Sequence, residues 1–421
     1  MSILVDLIYL AFLLIASPLL VPMLIIRSKR GYDLRSRLGQ VSGLDAPGRP
    51  RVLIHAVSVG ESNAIKTLVS QLLDRADPYD VVIATTTETG FARASALYGA
   101  RCSVIRYPVD LGWCVRRFLD AVRPDVAVMV ELELWPNFTS ECRRRGIPIA
   151  VVNGRLSERS FRGYSRVSWL VRHMFKRVDV VAAQTDVYAE RFRALGAPHS
   201  GVTVTGTMKW DAASYSNRAD EAVALAAALG IDSEKPLIVA GSTAPEEHRL
   251  LLDSIPRGVQ LLCAPRRPEW FDEAAEVLQG CARRSSGRPG SETGLFLLDT
   301  IGELGAAYRL ADVVIIGRSF GGLHGSDMME PCALGKPVVV GPSTSDFADT
   351  VEKLVEGDGI IVTDALGLRD VLHGLLESTE RRERLAGNAH AVVRAQQGAT
   401  ERTRVILESL LDDPISVGSV D

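Results

Sequence analysis

The sequence predicts an α/β protein built from two doubly wound, Rossmann-like parallel-sheet domains that face a cleft. Three observations carry this expectation. The 421 residues exceed what one hydrophobic core fills. Short β-rich runs alternate with helical stretches, the pattern of a parallel sheet covered on both faces. The alternation breaks once, near residues 211–235, and then restarts.

In chain order, residues 1–30 come first. From Leu7 to Ile26 the run LIYLAFLLIASPLLVPMLII carries no charge and is followed by RSKRGYDLRSR. A helix of that length crosses ~30 Å of hydrocarbon, and the basic flank would keep the rest of the chain on the cytoplasmic side. The segment is therefore expected to be a membrane anchor, although Pro18 and Pro22 leave a tilted or half-inserted helix open. Residues 31–210 form the first expected domain, with strands at RVLIHAV, YDVVIATT, DVAVMVE, PIAVVN and DVVAAQ. Residues 211–235 contain no β-rich run and read as a linker. Residues 236–421 form the second domain, with strands at LIVAGST, VQLLCAPR, GLFLLDT, DVVIIG, KPVVVG and GIIV.

Composition excludes several functions. A net charge of −3 gives no global pull toward nucleic acid. The six cysteines lie far apart and the seven histidines show no paired spacing, so no metal is expected. Neither the dinucleotide fingerprint G-x-G-x-x-G nor a P-loop is present.

Ligands of open α/β sheets sit beyond the carboxyl ends of the strands, so polar residues there are the candidates. In the first domain these are HAVSVGES, ATTTETG and VELELWPN, with Glu61, Glu131 and Glu133. Glu61 suits the first turn of a helix, where a carboxylate favours the dipole. Glu131 and Glu133 share a face if their strand persists. In the second domain, Ser242 and Thr243 form a turn with Thr243 three residues before Glu246, the spacing of a capping box. The same turn would present backbone N–H groups to a phosphate. Arg266 and Arg267 follow a strand, where guanidinium groups pair with phosphate or stay solvated. The glycine-rich loop leading to Asp327 and Glu330 suits a ribose and phosphate, or a simple helix cap. The stretch RLSERSFRGYSRVSWLVRHMFKR interleaves basic and aromatic residues, as a solvated face or a surface for anionic lipid headgroups.

Taken in order, HAVSVGE, ELELWPN, NGRLSERS, VTVTGTMKWD, AGST, PRRPEW, DTIGEL and MMEP resemble the Kdo (3-deoxy-D-manno-octulosonic acid) transferases of Gram-negative bacteria over nearly the whole chain. The resemblance implies a GT-B glycosyltransferase that moves Kdo from CMP-Kdo onto a lipid A precursor with inversion. It places the acceptor in the first domain and the nucleotide in the second, with no cofactor and no metal. It implies Glu61 as general base, with Glu131 and Lys209 beside the transition state. Ser58, Gly60, Arg155 and Arg159 would meet the acceptor. Ser242, Thr243, Pro265, Arg266, Ile301, Gly302, Glu303, Gly325, Ser326, Asp327, Met328, Met329 and Glu330 would form the CMP site.

Two departures stand out. The family's G-G-H-N run is matched here by His324, Gly325, Ser326 and Asp327, and its histidine after AGST is replaced by Ala244 and Pro245. These changes leave open a related transferase with another nucleotide sugar and a lipid acceptor, or a non-catalytic nucleotide-binding relative. A glutamate at a helix start also raises a conflict, because the dipole lowers its pKa while burial raises it.

Overall fold

The computed structural model describes residues 33–212 and 219–412. The expected anchor lies outside them. Among the described residues no helix is long and apolar enough to cross a membrane.

The chain divides into two compact units. The first holds a parallel sheet of seven strands in the order β3-β2-β1-β4-β5-β6-β7. These are β1 (Arg51–His55), β2 (Asp80–Thr85), β3 (Ser103–Arg106), β4 (Val126–Val130), β5 (Ile149–Gly154), β6 (Val180–Ala183) and β7 (Val202–Val204). Successive side chains in a strand face opposite ways. Leu53, Val82, Ala127 and Met129 accordingly join one core, while Val52, Ile54, Val81 and Val128 join another on the opposite face. Burying both faces explains why β1, β2 and β4 read as near-continuous apolar runs rather than alternating.

The second unit repeats the plan with the order β10-β11-β9-β8-β12-β13-β14. Its strands are β8 (Leu237–Thr243), β9 (Gln260–Pro265), β10 (Ala282–Arg283), β11 (Leu295–Leu297), β12 (Val313–Ile316), β13 (Val338–Val340) and β14 (Ile360–Val362).

The boundaries differ from those expected at both ends of the second domain. Within 211–235, residues Ala219–Leu229 form a helix of the second unit, burying Ala222, Leu225 and Leu229. At the far end, residues 397–412 return to the first unit. There the helix Ala399–Asp412 adds Ala399, Leu407 and Leu410 to the core that holds Leu68, Val69 and Leu72. A polar clamp fixes this return. The buried Asp211 carboxylate accepts from the backbone N–H of Gly398 at 2.7 Å and of Thr400 at 2.6 Å, and Arg402 donates to the Thr205 carbonyl.

Candidate functional site

In the first unit the site begins where β1 stops. Ser58 caps the helix Val59–Ala64, accepting from the Glu61 N–H at 3.3 Å. The Glu61 carboxylate reaches back: Val57 N–H donates to Oε2 and Ser58 Oγ to Oε1, each at 2.8 Å. The arrangement is a variant of a capping box, with the carboxylate reaching one residue further back, to the N–H before the cap. The turn is also held from the β2 side, where Thr87 Oγ1 donates to the Val57 carbonyl at 2.8 Å. A side chain at Gly90 would collide with that same carbonyl, so the helix Glu88–Tyr98 can press directly on the turn.

Glu61 is buried, and burial pushes its carboxyl up to about 7. The two hydrogen bonds oppose this, and the negative charges of Glu131 and Glu133 add to it. Burial thus outweighs the two hydrogen bonds and leaves a proton acceptor poised near neutrality. The neighbouring His55 is excluded as that acceptor. It is fully buried, stacked on Tyr107 with ring centroids 3.6 Å apart, and burial drives its pKa down to about 3.

Glu61, Glu131, Glu133 and Arg155 line one cavity of about 680 Å³, together with Ser157, Ser160 and the apolar side chains of Leu132, Leu134, Trp135, Tyr164, Val171 and Met174. The strand does not persist through the two glutamates. β4 ends at Val130, and Glu131 adopts a left-handed backbone with φ 61°. That conformation costs a non-glycine residue roughly 1–3 kcal/mol. It is held by the Glu131 N–H on the Val152 carbonyl at 3.0 Å and by the Arg155 N–H on the Glu131 carbonyl at 3.3 Å. Both carboxylates reach the cavity by this turn rather than by strand alternation. Burial holds Glu133 above the usual range, with a Trp135 hydrogen bond opposing and Glu131 adding.

Gly60 is exposed, with open space where a side chain would stand. Arg159 is exposed on the helix Glu158–Arg166 and does not line the cavity, and neither does Lys209. Lys209 is exposed between the fully buried Met208 and Trp210. Asn153 Oδ1 accepts the Met208 N–H at 3.1 Å, so the backbone that presents the lysine is fixed.

The second unit gathers its candidates beyond the carboxyl ends of β8, β9, β11 and β12. Ser242 takes φ 56°, and the buried Thr243 pairs its hydroxyl with His248 at 3.0 Å and Cys263 at 3.3 Å. The expected Thr243–Glu246 capping box is displaced by one residue. The helix Pro245–Ser254 is capped at Ala244, whose N–H donates to Glu247 Oε2 at 2.9 Å. Pro245 at the first helical position sets this register.

Pro265 is buried at the end of β9, and the exposed Arg266 donates its N–H to the Thr243 carbonyl at 3.0 Å. Ile301 is 75% exposed beside Gly302, while Glu303 is engaged by Arg284 and Thr300. Gly325 has φ 88°. Asp327 Oδ1 accepts the Met329 N–H at 2.8 Å, a role the carbonyl of an asparagine would fill equally. Met328 and Met329 are buried. Ser326 is buried with an unpartnered hydroxyl. Glu330 leans across to the helix Leu304–Leu310, where a side chain at Gly305 would collide with its carboxylate. DTIGEL and MMEP, remote in sequence, therefore meet. Among the described residues no group of three or more His, Cys, Asp or Glu side chains is placed to hold a metal ion.

The family model of the 3-deoxy-D-manno-octulosonic-acid transferases (kdotransferases) matches residues 32–212. The transferase of that name from Bordetella pertussis is 36% identical over 388 residues, covering 87% of this chain and 89% of its own. That of Haemophilus influenzae is 31% identical over 426 residues, covering 96% and 98%. In fold the chain is similar to the UDP-GlcNAc 2-epimerase of Neisseria meningitidis, with a TM-score of 0.56 at 15% identity over 86% of this chain and 100% of the epimerase. With two transferases at 36% and 31% identity over most of both chains, and the family model matching residues 32–212, this chain belongs to the 3-deoxy-D-manno-octulosonic acid transferase family.

Proposed function

We propose that this protein transfers Kdo from CMP-Kdo to a lipid A precursor, lipid IVA, with inversion at the anomeric carbon, in lipopolysaccharide core biosynthesis. The feature that carries the mechanism is the buried Glu61 carboxyl, pushed up to about 7 by burial, in a cavity lined by both polar and apolar side chains. Glu61 takes the proton of an acceptor hydroxyl as its oxygen bonds to the anomeric carbon. The bond from that carbon to the phosphate oxygen breaks, and its electron pair leaves on CMP. Glu131, which shares the cavity with Glu61, faces the positive charge that builds on the sugar, and Lys209 is the group that the family likeness puts beside the transition state. Arg266 and backbone amides serve the phosphate, so the step is written without a metal.

The mixed cavity suits a glycolipid, with Arg155 for a charged group and Leu132, Leu134 and Met174 for hydrocarbon. The reaction is placed on the cytoplasmic face of the inner membrane. The uncharged stretch from Leu7 to Ile26 supports that placement. So does the surface of Arg159, Arg162, Arg166 and the 72% exposed Trp169, which suits anionic headgroups.

The test is to incubate detergent-solubilised protein with freshly made CMP-Kdo and a tetra-acylated lipid A precursor, and to weigh the lipid by mass spectrometry. A gain of one or more Kdo masses is expected. No gain from a folded protein that still binds CMP would overturn the donor or the acceptor assignment.

A further inference from the structure

The loop from Gly317 to Gly325 is tied down by one carboxylate that no motif singled out. Glu247, 1% exposed, accepts four backbone N–H groups. Its Oε2 takes those of Ala244 at 2.9 Å and Arg318 at 2.7 Å, and its Oε1 those of Ser319 at 2.9 Å and Phe320 at 3.0 Å. Three successive amides turned toward one point form a nest, a concavity that ordinarily takes a free anion. Here the chain supplies its own. The loop is strained and closely packed at this point: Arg318 is left-handed at φ 60°, and a side chain at Gly317 would collide with the backbone of Thr243. A second tie lies on the other side, where Ser319 Oγ donates to the Ile316 carbonyl at 2.6 Å and accepts the Gly341 N–H at 2.7 Å.

We propose that Glu247 is a positioning residue for the nucleotide sugar: it fills the nest of residues 318–320 and so fixes the loop that delivers Gly325, Ser326 and Asp327. The donor phosphate is therefore met by other groups and not by this nest. The role rests on the reading of the second unit as the nucleotide-binding one. It also bears on a departure noted in the sequence. With the start of the helix Pro245–Ser254 occupied by Glu247, the residue at Ala244 is 0% exposed and contributes its N–H alone.

The experiment uses the full chain in detergent and the variant Glu247→Gln, whose single carbonyl oxygen can serve only part of the donor set and whose amide nitrogen faces the remaining N–H groups. Two readouts are taken. Hydrogen–deuterium exchange needs no ligand, and faster exchange confined to residues 242–244 and 317–325 is expected. CMP binding by calorimetry is expected to weaken by at least about tenfold, the equivalent of one hydrogen bond to a charged group, with the KM for the acceptor unchanged. Ser319→Ala, which cuts the second tie and leaves the carboxylate in place, is expected to move both readouts in the same direction by less. Unchanged exchange at 318–320 would overturn the positioning role whatever donor the protein takes. So would a loss spread evenly over the unit together with the acceptor KM. CMP affinity within twofold of the parent, beside faster loop exchange, would equally overturn it. A parent chain that does not bind CMP refutes the donor assignment, and the exchange result alone then decides for or against Glu247.

Discussion

The substitution Glu61→Gln separates the chemistry of this residue from its structural service. The new side chain can keep both local contacts: its carbonyl accepts the Val57 N–H, and its amide donates to Ser58 Oγ, which needs only to turn its own proton away. What disappears is the ionisation. Moving a carboxyl from 4.5 to about 7 means the folded protein favours the protonated form by about 3 kcal/mol. With the folded-state pKa raised, that stability is fully present below the unfolded value and is lost as the pH climbs through about 7. The variant does not titrate, so its unfolding midpoint should rise relative to the parent between pH 5 and pH 8, by several degrees at the upper end. Activity should move the opposite way. Transfer by the variant at pH 8 should fall about a hundredfold to ten-thousandfold, the usual worth of a general base. The parent's kcat/KM should drop about tenfold per pH unit below 7. The assay is a pH series of thermal melts beside the mass-resolved transfer reaction. Turnover of the variant within about threefold of the parent at pH 8 would refute the base assignment. A stability difference that stays flat across the pH range would refute the burial argument.

Two further substitutions test parts of the site away from Glu61. Gly305→Ala should displace the Glu330 carboxylate and weaken CMP binding by about tenfold or more, a loss near 1.4 kcal/mol, with the acceptor KM unchanged; calorimetry against CMP checks this. Asp211→Ala should leave the buried amides of Gly398 and Thr400 without their acceptor and cost about 2–4 kcal/mol of stability in the first unit, visible by denaturant titration. It should also lower kcat, because the helix that presents Lys209 loses its clamp.

The parts of this architecture that the sequence made legible are those governed by local chemistry. The apolar runs such as RVLIH and VAVMV read as strands buried on both faces, and they are. Three strands escaped notice for physical reasons. β3 is an edge strand, half-buried along its length and without an apolar run; β7 is only Val202–Val204, with two exposed positions; β10 is Ala282–Arg283. The candidate site was legible where one motif builds it, as at Ser58 and Glu61, where the spacing of the cap is written in four consecutive residues. It was not legible where distant segments meet. Nothing local says that Glu330 rests against Gly305, that Glu133 joins Glu61 in one cavity after the chain turns left-handed at Glu131, or that Glu247 rather than Glu246 holds the loop. The choice between those adjacent glutamates turned on a single residue of helix register, set by Pro245.

The return of the helix Ala399–Asp412 to the first unit bears on how the protein comes into being. The first unit is written in two separate stretches of the chain, and its last helix is made only after the whole second unit has been synthesised. Until then the apolar surface of Leu68, Val69 and Leu72 lacks Leu407 and Leu410 as cover, and Asp211 has no amides to receive. A nascent chain emerging at the ribosome therefore carries an unfinished first half for as long as the second half takes to appear. A stop codon shortly after residue 396 would leave the second unit whole and strike the opposite half of the molecule.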